Sequence, residues 1–278
     1  MTRMDTQTAG RLRSVVSRDN ALVKELRRAF TRGEPTEEGY CAIESVRIVE
    51  EAIRSGLRFK AVFFSETSRE RANRLLPQLS PQIDTVLLPD AVFRSAVATE
   101  SPQGVSALVK LRKHDLEDVL AAPLPLVVAL AGLQDPGNLG TVVRSAEAFG
   151  ATGVVAGEKT VSRFNAKSVR ASAGSLFRVP FVNGELSSAF EAFRQHGLKV
   201  VATSSHNAKP VAQVDMTGPV ALVIGSEGSG VPHEVLRQVD EIVTIPHSPK
   251  VESLNAGVAA SILLYEISRQ RAQAKEQE

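Results

Sequence analysis

The chain has 278 residues, 43% of them hydrophobic and 23% charged, with a net charge of +2 and one cysteine. That composition fits one large or two ordinary globular domains with material for a sizeable core, and it excludes an intramolecular disulfide and any cysteine-based metal cluster. No apolar run reaches bilayer-spanning length, the N-terminus lacks the apolar stretch of a secretory signal, and the five histidines show no metal-binding spacing, so a metal-free protein in a reducing cytoplasm, away from membranes, is expected.

Residues 1–12 read as disordered. Residues 1–32 hold eight basic side chains (Arg3, Arg11, Arg13, Arg18, Lys24, Arg27, Arg28 and Arg32) against three acidic ones. Such a basic arm suggests a polyanion partner such as nucleic acid, although a solvated helix face would look the same. A first helix is expected over Ser17–Ala29, and a loop over Gly33–Gly39. A strand follows at Tyr40–Ile43, then a helix capped by Ser45 and ended by Gly56. Lys60–Phe64, Thr85–Leu88 and Val105–Val109 read as strands. Arg69–Leu79 and Asp90–Ala98 read as helices, and Ser101–Gly104 as a turn. This alternation describes a small α/β domain over 1–112. Residues 113–125, charged and then proline-bearing, read as a linker, and 126–278 as a second α/β domain with a mainly parallel sheet.

In that second domain Leu126–Ala131 is a buried strand, followed by the turn-rich GLQDPGNLG loop of 132–140 and a helix over Thr141–Phe149. Gly153–Ala156 is a strand, Ala166–Gly174 a small-residue helix, Glu185–His196 a helix, and Leu198–Ala202 a strand. Val220–Ile224 is a short β-branched run, again a buried strand. It breaks into GSEGSG at 225–230 and resumes as a short helix at Pro232. Glu241–Ile245 is the last strand. Ser253 is placed as the cap of a long helix to about Arg269, with a frayed polar tail beyond.

Two tempting motifs fail. The glycines at 225, 228 and 230 do not match the dinucleotide fingerprint, which argues against a nucleotide-dependent oxidoreductase, and Glu158 spoils a phosphate-loop reading of 157–160. What remains is a set of three loops, each after a buried strand: Gln134–Gly140 with Arg144 in the helix beyond, Gly225–Gly230, and Ile245–Asn255. They offer two amides (Asn138, Asn255), a hydroxyl (Ser253), a carboxylate (Glu227), a guanidinium (Arg144) and bare backbone. That set suits positioning and charge complementarity more than covalent chemistry. Each residue alone also has an ordinary structural reading as a cap or solvated side chain.

Taken together, DPGNLGTVVRSAEAFG at 135–150, GSEGSGV at 225–231, and Ile245-Pro246 followed by Ser253-Leu254-Asn255 resemble the three motifs of the SpoU (TrmH) branch of the SPOUT RNA methyltransferases. SRDNALVK at 17–24, IESVR at 43–47 and SPQGV at 101–105 resemble the substrate-binding domain that often precedes them. Ala21, Ser45, His247 and Ala256-Gly257 depart from common family residues. The resemblance implies a C-terminal trefoil knot and methyl transfer from S-adenosylmethionine to a ribose 2′-hydroxyl, leaving S-adenosylhomocysteine. The RNA implied is a structured loop or bulge, ribosomal in preference to transfer RNA. A non-catalytic RNA-binding protein on the same fold is the other alternative. A homodimer through the C-terminal domain is also implied. By residue-wise match, Thr203, Ile224, Gly225, Gly230, Ile245, Pro246, Ser253 and Leu254 would hold the cofactor. Arg144 would clamp and activate the target hydroxyl. Asn138 and Asn255 would orient target and loops, Ser253 would hold the third loop, and Glu227 would aim Arg144 or meet the RNA.

Overall fold

A computed structural model describes residues 11–204 and 208–277. Of the disordered start expected over 1–12, residues 1–10 lie outside them, whereas Arg11 is held in place, its guanidinium donating to the Leu76, Leu79 and Ser80 carbonyls. The chain forms two compact units, one of residues 1–112 with 164–177 and one of 113–163 with 178–278.

The first unit contains β1 (Arg13–Ser14), α1 (Ala21–Arg32), β2 (Cys41–Glu44), α2 (Val46–Arg54), β3 (Arg58–Ser65), α3 (Arg69–Leu75), β4 (Asp84–Leu88), α4 (Asp90–Ala96) and β5 (Val105–Lys110). The sheet order is β1-β4-β3-β5-β2, with β5 antiparallel to both neighbours and the other pairs parallel. Helix α1 starts later than the apolar pattern suggests because Asn20 is its cap, accepting from the Leu22 N–H at 3.0 Å. Val23, Leu26 and Ala29 face a core that includes Phe63, Val86, Phe93 and Leu108.

The second unit contains α5 (Leu116–Leu120), β6 (Leu126–Ala131), α6 (Pro136–Ala148), β7 (Gly153–Ala156), β8 (Phe181–Asn183), α8 (Leu186–Gln195), β9 (Lys199–Thr203), β10 (Lys209–Pro210), β11 (Val220–Gly225), α9 (His233–Leu236), β12 (Glu241–Thr244) and α10 (Ala256–Gln277). Its sheet, ordered β10-β12-β9-β11-β6-β7-β8, is parallel at every described pairing. Strands β6 and β11, paired from Val220–Leu126 to Gly225–Ala131, are buried along their whole length, as a parallel sheet covered on both faces requires. The intervening helix α7 (Ala166–Ala171) lies in the 164–177 segment that groups with the first unit. The 113–125 stretch, expected as a linker, contains α5, whose Val119 and Leu120 join the core of the second unit.

Helices α6 and α10 pack side by side, running the same way. Thr141 meets Gly257, the Ser145 and Ser261 hydroxyls are 2.7 Å apart, and the Phe149 and Tyr265 rings meet edge to face at 5.8 Å. No helix among the described residues is long and apolar enough to cross a membrane.

Candidate active site

Strands β12, β9 and β11 are neighbours in the sheet, and their carboxyl ends open into one cavity of about 620 Å³. This is where open parallel α/β sheets place ligands, and the volume suits a small cofactor. The cavity is lined by Thr203, Ile224, Gly225, the whole 226–230 loop, Ile245, Ser253 and Leu254, so seven of the eight expected cofactor residues converge there. Pro246 does not line it; that residue borders an adjoining depression formed by 244–252.

The 225–230 loop is a tight reversal. Ser226 and Gly230 exchange backbone hydrogen bonds at 2.9 and 3.1 Å, with Gly230 at φ +66°. A Cβ on Gly225 would overlap the carbonyl of Gly230 and the nitrogen of Val231. The glycine is therefore required by the loop's own backbone.

The first loop differs from its sequence reading. Asp135 accepts from the Asn138 N–H at 2.8 Å and caps α6, Pro136 occupies the first turn, and half of the expected loop is helix. Asn138 is thereby buried, at 8% exposure, inside the helix start. Its side-chain amide donates to Glu227 Oε1 at 2.8 Å, and its Oδ1 accepts from the Asn255 amide at 2.9 Å. Glu227 also accepts from the Asp135 and Gln134 N–H groups at 3.0 and 3.3 Å. One chain of hydrogen bonds, Asn255 to Asn138 to Glu227, thus ties the three loops together. Partial burial pushes the Glu227 carboxyl up, but hydrogen bonds from Asn138, from its own N–H and from the N–H groups of Asp135 and Gln134 outweigh that and hold it below its ordinary range.

Two expectations change here. Glu227 does not pair with Arg144, because its oxygens are engaged by Asn138 and backbone amides; Arg144 is exposed on α6 and makes no hydrogen bond or ion pair among the described residues. Nor does Ser253 cap the last helix. Asn255 does, accepting from the Val258 N–H at 3.1 Å, and α10 runs on to Gln277 instead of fraying near Arg269. Sequence reasoning missed His233, Glu234 and Glu252, which also line the cavity, and treated His247 only as a departure; its ring nitrogen lies 2.7 Å from the Ile245 carbonyl. All four stand beside the recognised motifs, and that adjacency was the available signal.

The residues present fit an adenosyl sulfonium cofactor. The cavity combines apolar side chains (Ile224, Leu236, Val243, Leu254, Leu263) with carboxylates (Glu227, Glu234, Glu252) and exposed loop backbone, the donor set for an adenine and a cationic tail.

A parallel α/β domain with such a cleft, following a small α/β unit in the chain, defines a two-unit α/β protein with a ligand site at the carboxyl end of its second sheet. Residues 125–265 match the SpoU rRNA Methylase family and residues 20–107 the MRM3-like substrate binding domain, and the chain belongs to the SpoU rRNA methylase family. It is 32% identical over 256 residues, 92% of this chain and 99% of the relative, to the 23S rRNA (guanosine(2553)-2′-O)-methyltransferase RlmP of Bacillus subtilis. The AdoMet-bound rRNA methyltransferase of Sinorhizobium meliloti superposes with a TM-score of 0.80 at 28% identity, covering 94% of this chain and 98% of that one. The SpoU methyltransferase AviRb of Streptomyces viridochromogenes, in complex with AdoMet, also gives 0.80 at 28%, covering 91% and 98%.

Proposed function

We propose that this protein is an S-adenosylmethionine-dependent RNA methyltransferase that modifies a ribose 2′-hydroxyl in large-subunit ribosomal RNA. The observation that carries the reading is the carboxyl-end cavity bounded by two of the three motif loops and tied to the first by the Asn255–Asn138–Glu227 hydrogen bonds. Similarity to a 23S rRNA 2′-O-methyltransferase along nearly its whole length supports the choice of RNA.

The cofactor supplies an electrophilic methyl group; the chain's task is to align the hydroxyl and accommodate its proton. Arg144, exposed and unpaired beyond the first loop, is available to RNA as a planar clamp on the target phosphate and hydroxyl. A guanidinium is a very poor base, so proton removal is assisted by that phosphate. Asn138, Asn255 and Glu227 are positioning residues in this reading. Ser253, with Thr203, Ile224, Gly225, Gly230, Ile245 and Leu254, borders the cofactor, and Pro246 shapes the turn beside it. The target ribose must lie in a loop or bulge, where it can be splayed out.

The same reading includes a trefoil-knotted C-terminal segment, a cytoplasmic setting and a homodimer through the second unit. Support for the dimer is an apolar stripe on α10, where Val258, Ile262 and Tyr265, spaced four and three residues apart, are 47%, 38% and 54% exposed.

The test is single-turnover methyl transfer from labelled S-adenosylmethionine to 23S rRNA from a deletion strain, with mapping of 2′-O-methyl sites against the parent strain. Label on a base, or no site that distinguishes the strains, overturns the assignment.

A further inference from the structure

Helix α1 carries Lys24, Arg28 and Arg32 four residues apart, and so on one side, opposite the buried Val23, Leu26 and Ala29. Arg28 and Arg32 are exposed and make no ion pair among the described residues, whereas Lys24 pairs with the exposed Asp19 at 2.9 Å. The helix ends at Gly33, and a Cβ there would lie 3.7 Å from the Cα of Asn165. Asn165 is the cap of α7, accepting from the Lys167 N–H at 2.9 Å. Lys167 and Arg170, three apart on α7, are both exposed. Helix α7 packs on β2, and the Arg170 charge reaches the buried Glu44 at the end of that strand. The loop after Gly33 carries Glu34 and Glu37 and does not extend the basic ridge; α7 does.

Resting on the RNA reading above, we infer that α7, though encoded within the methylase sequence, completes the RNA-gripping surface of the first unit, with Lys167 and Arg170 continuing the phosphate-binding ridge of Lys24, Arg28 and Arg32. The substrate-binding family match ends at residue 107 and leaves this segment out, but the fold groups 164–177 with residues 1–112. A row of cations at helical spacing, drawn from two segments more than a hundred residues apart, fits a nucleic-acid backbone, where each phosphate contact adds to affinity and to its salt dependence.

The experiment uses the full chain and a 23S rRNA transcript, with affinity measured across a salt series. The variants are Arg28→Gln with Arg32→Gln, Lys167→Gln with Arg170→Gln, and all four together. Each double variant should flatten the slope of log affinity against log salt by about two, one per lost phosphate contact, and the fourfold variant by about the sum. Thermal midpoint and S-adenosylmethionine affinity should stay at wild-type values. If the α7 pair loses its midpoint, Lys167→Gln alone, which leaves Arg170 beside Glu44, decides: a wild-type midpoint with a slope flattened by about one supports the proposal, and an unchanged slope overturns it. An α7 variant that binds RNA with unchanged affinity and slope overturns it, whatever the α1 pair does. Methyl transfer by the wild type in the same samples reports on the enzymatic reading separately, since RNA binding without transfer would sink that reading and leave the ridge standing.

Discussion

The side-chain amide of Asn138 donates to Glu227 at 2.8 Å across 89 residues of sequence, and the same Asn138 accepts from Asn255 at 2.9 Å, 117 residues away. Glu227→Gln should therefore disturb the loops more than its size suggests. The new amide keeps one acceptor oxygen, enough for the Asn138 amide and the Asp135 N–H that share Oε1, but it turns its own donors toward the Gln134 N–H, which needs an acceptor. An unmet donor costs about 1–3 kcal/mol, and partial exposure puts this case near the low end. A drop of a few degrees in melting temperature and weaker S-adenosylmethionine binding are expected; wild-type behaviour in both would mean the hydrogen-bond chain does not organise the cavity.

The same carboxylate predicts a pH dependence. Its folded-state pKa is held below the ordinary value, so its stabilising contribution is present above that value and is lost as pH falls through the lowered one. The stability gap between wild type and Glu227→Gln should be full at neutral pH and close only as pH falls below the ordinary carboxylate range. Paired thermal melts across pH check this. A gap that persisted well below that range would show that the charge is not what binds the loops.

How far the sequence revealed this architecture depended on how local the cause was. Strands β6, β7 and β11 announce themselves because a parallel strand covered on both faces must be apolar throughout. Strands β8 and β10 did not, being three and two residues long with mixed composition. The first turn of α6 was hidden because Asp135, Pro136 and Gly137 are turn formers as readily as they are a cap and first turn. The last helix outran its expected end because RAQAKEQ is rich in good helix formers, which a reading based on polarity discounted. Among site residues the types and spacing were visible. The partner of Glu227 was not, since it is fixed by the pairing of β11 with β6 and not by anything near residue 227.

Arg144→Ala tests the reacting side. The residue is exposed and unpaired, so its loss should leave melting temperature and cofactor affinity nearly unchanged. Turnover should fall on the order of a hundredfold or more, the scale of one positioned transition-state donor. Arg144→Lys keeps charge but loses the planar fork, and little activity should return. Single-turnover methyl transfer at saturating cofactor reads both variants; near-normal rates in Arg144→Ala would remove this side chain from the mechanism.

Gly225→Ala addresses the second loop. Its new methyl would meet the backbone of Gly230 and Val231, which cannot move aside as a flexible side chain could. Overpacking of this kind costs about 1–3 kcal/mol. Because Gly225 ends β11 and opens the cavity, the strain should appear chiefly as a tenfold or greater loss of S-adenosylmethionine affinity, read by calorimetric titration. Unchanged affinity would show that the loop can open without affecting the cofactor.

Fragments of the second unit should show where it begins. Cutting before Leu126, at the end of the apparent linker, removes α5. In the intact chain Val119 fills the space a side chain on Gly153 would occupy, its Cγ atoms 2.7 and 2.8 Å from that point, and Val119 and Leu120 are 0% and 5% exposed. Each buried aliphatic side chain contributes about 1.5–3 kcal/mol, so 113–278 should be several kcal/mol more stable than 126–278. Both fragments also carry residues 164–177 without the unit they group with, which exposes Leu176 and Phe177 in each equally. The comparison between the two therefore isolates α5. Denaturant melts of both, with cofactor titration of whichever folds, make the measurement. Equal midpoints would show that α5 is dispensable and that the second unit begins at β6.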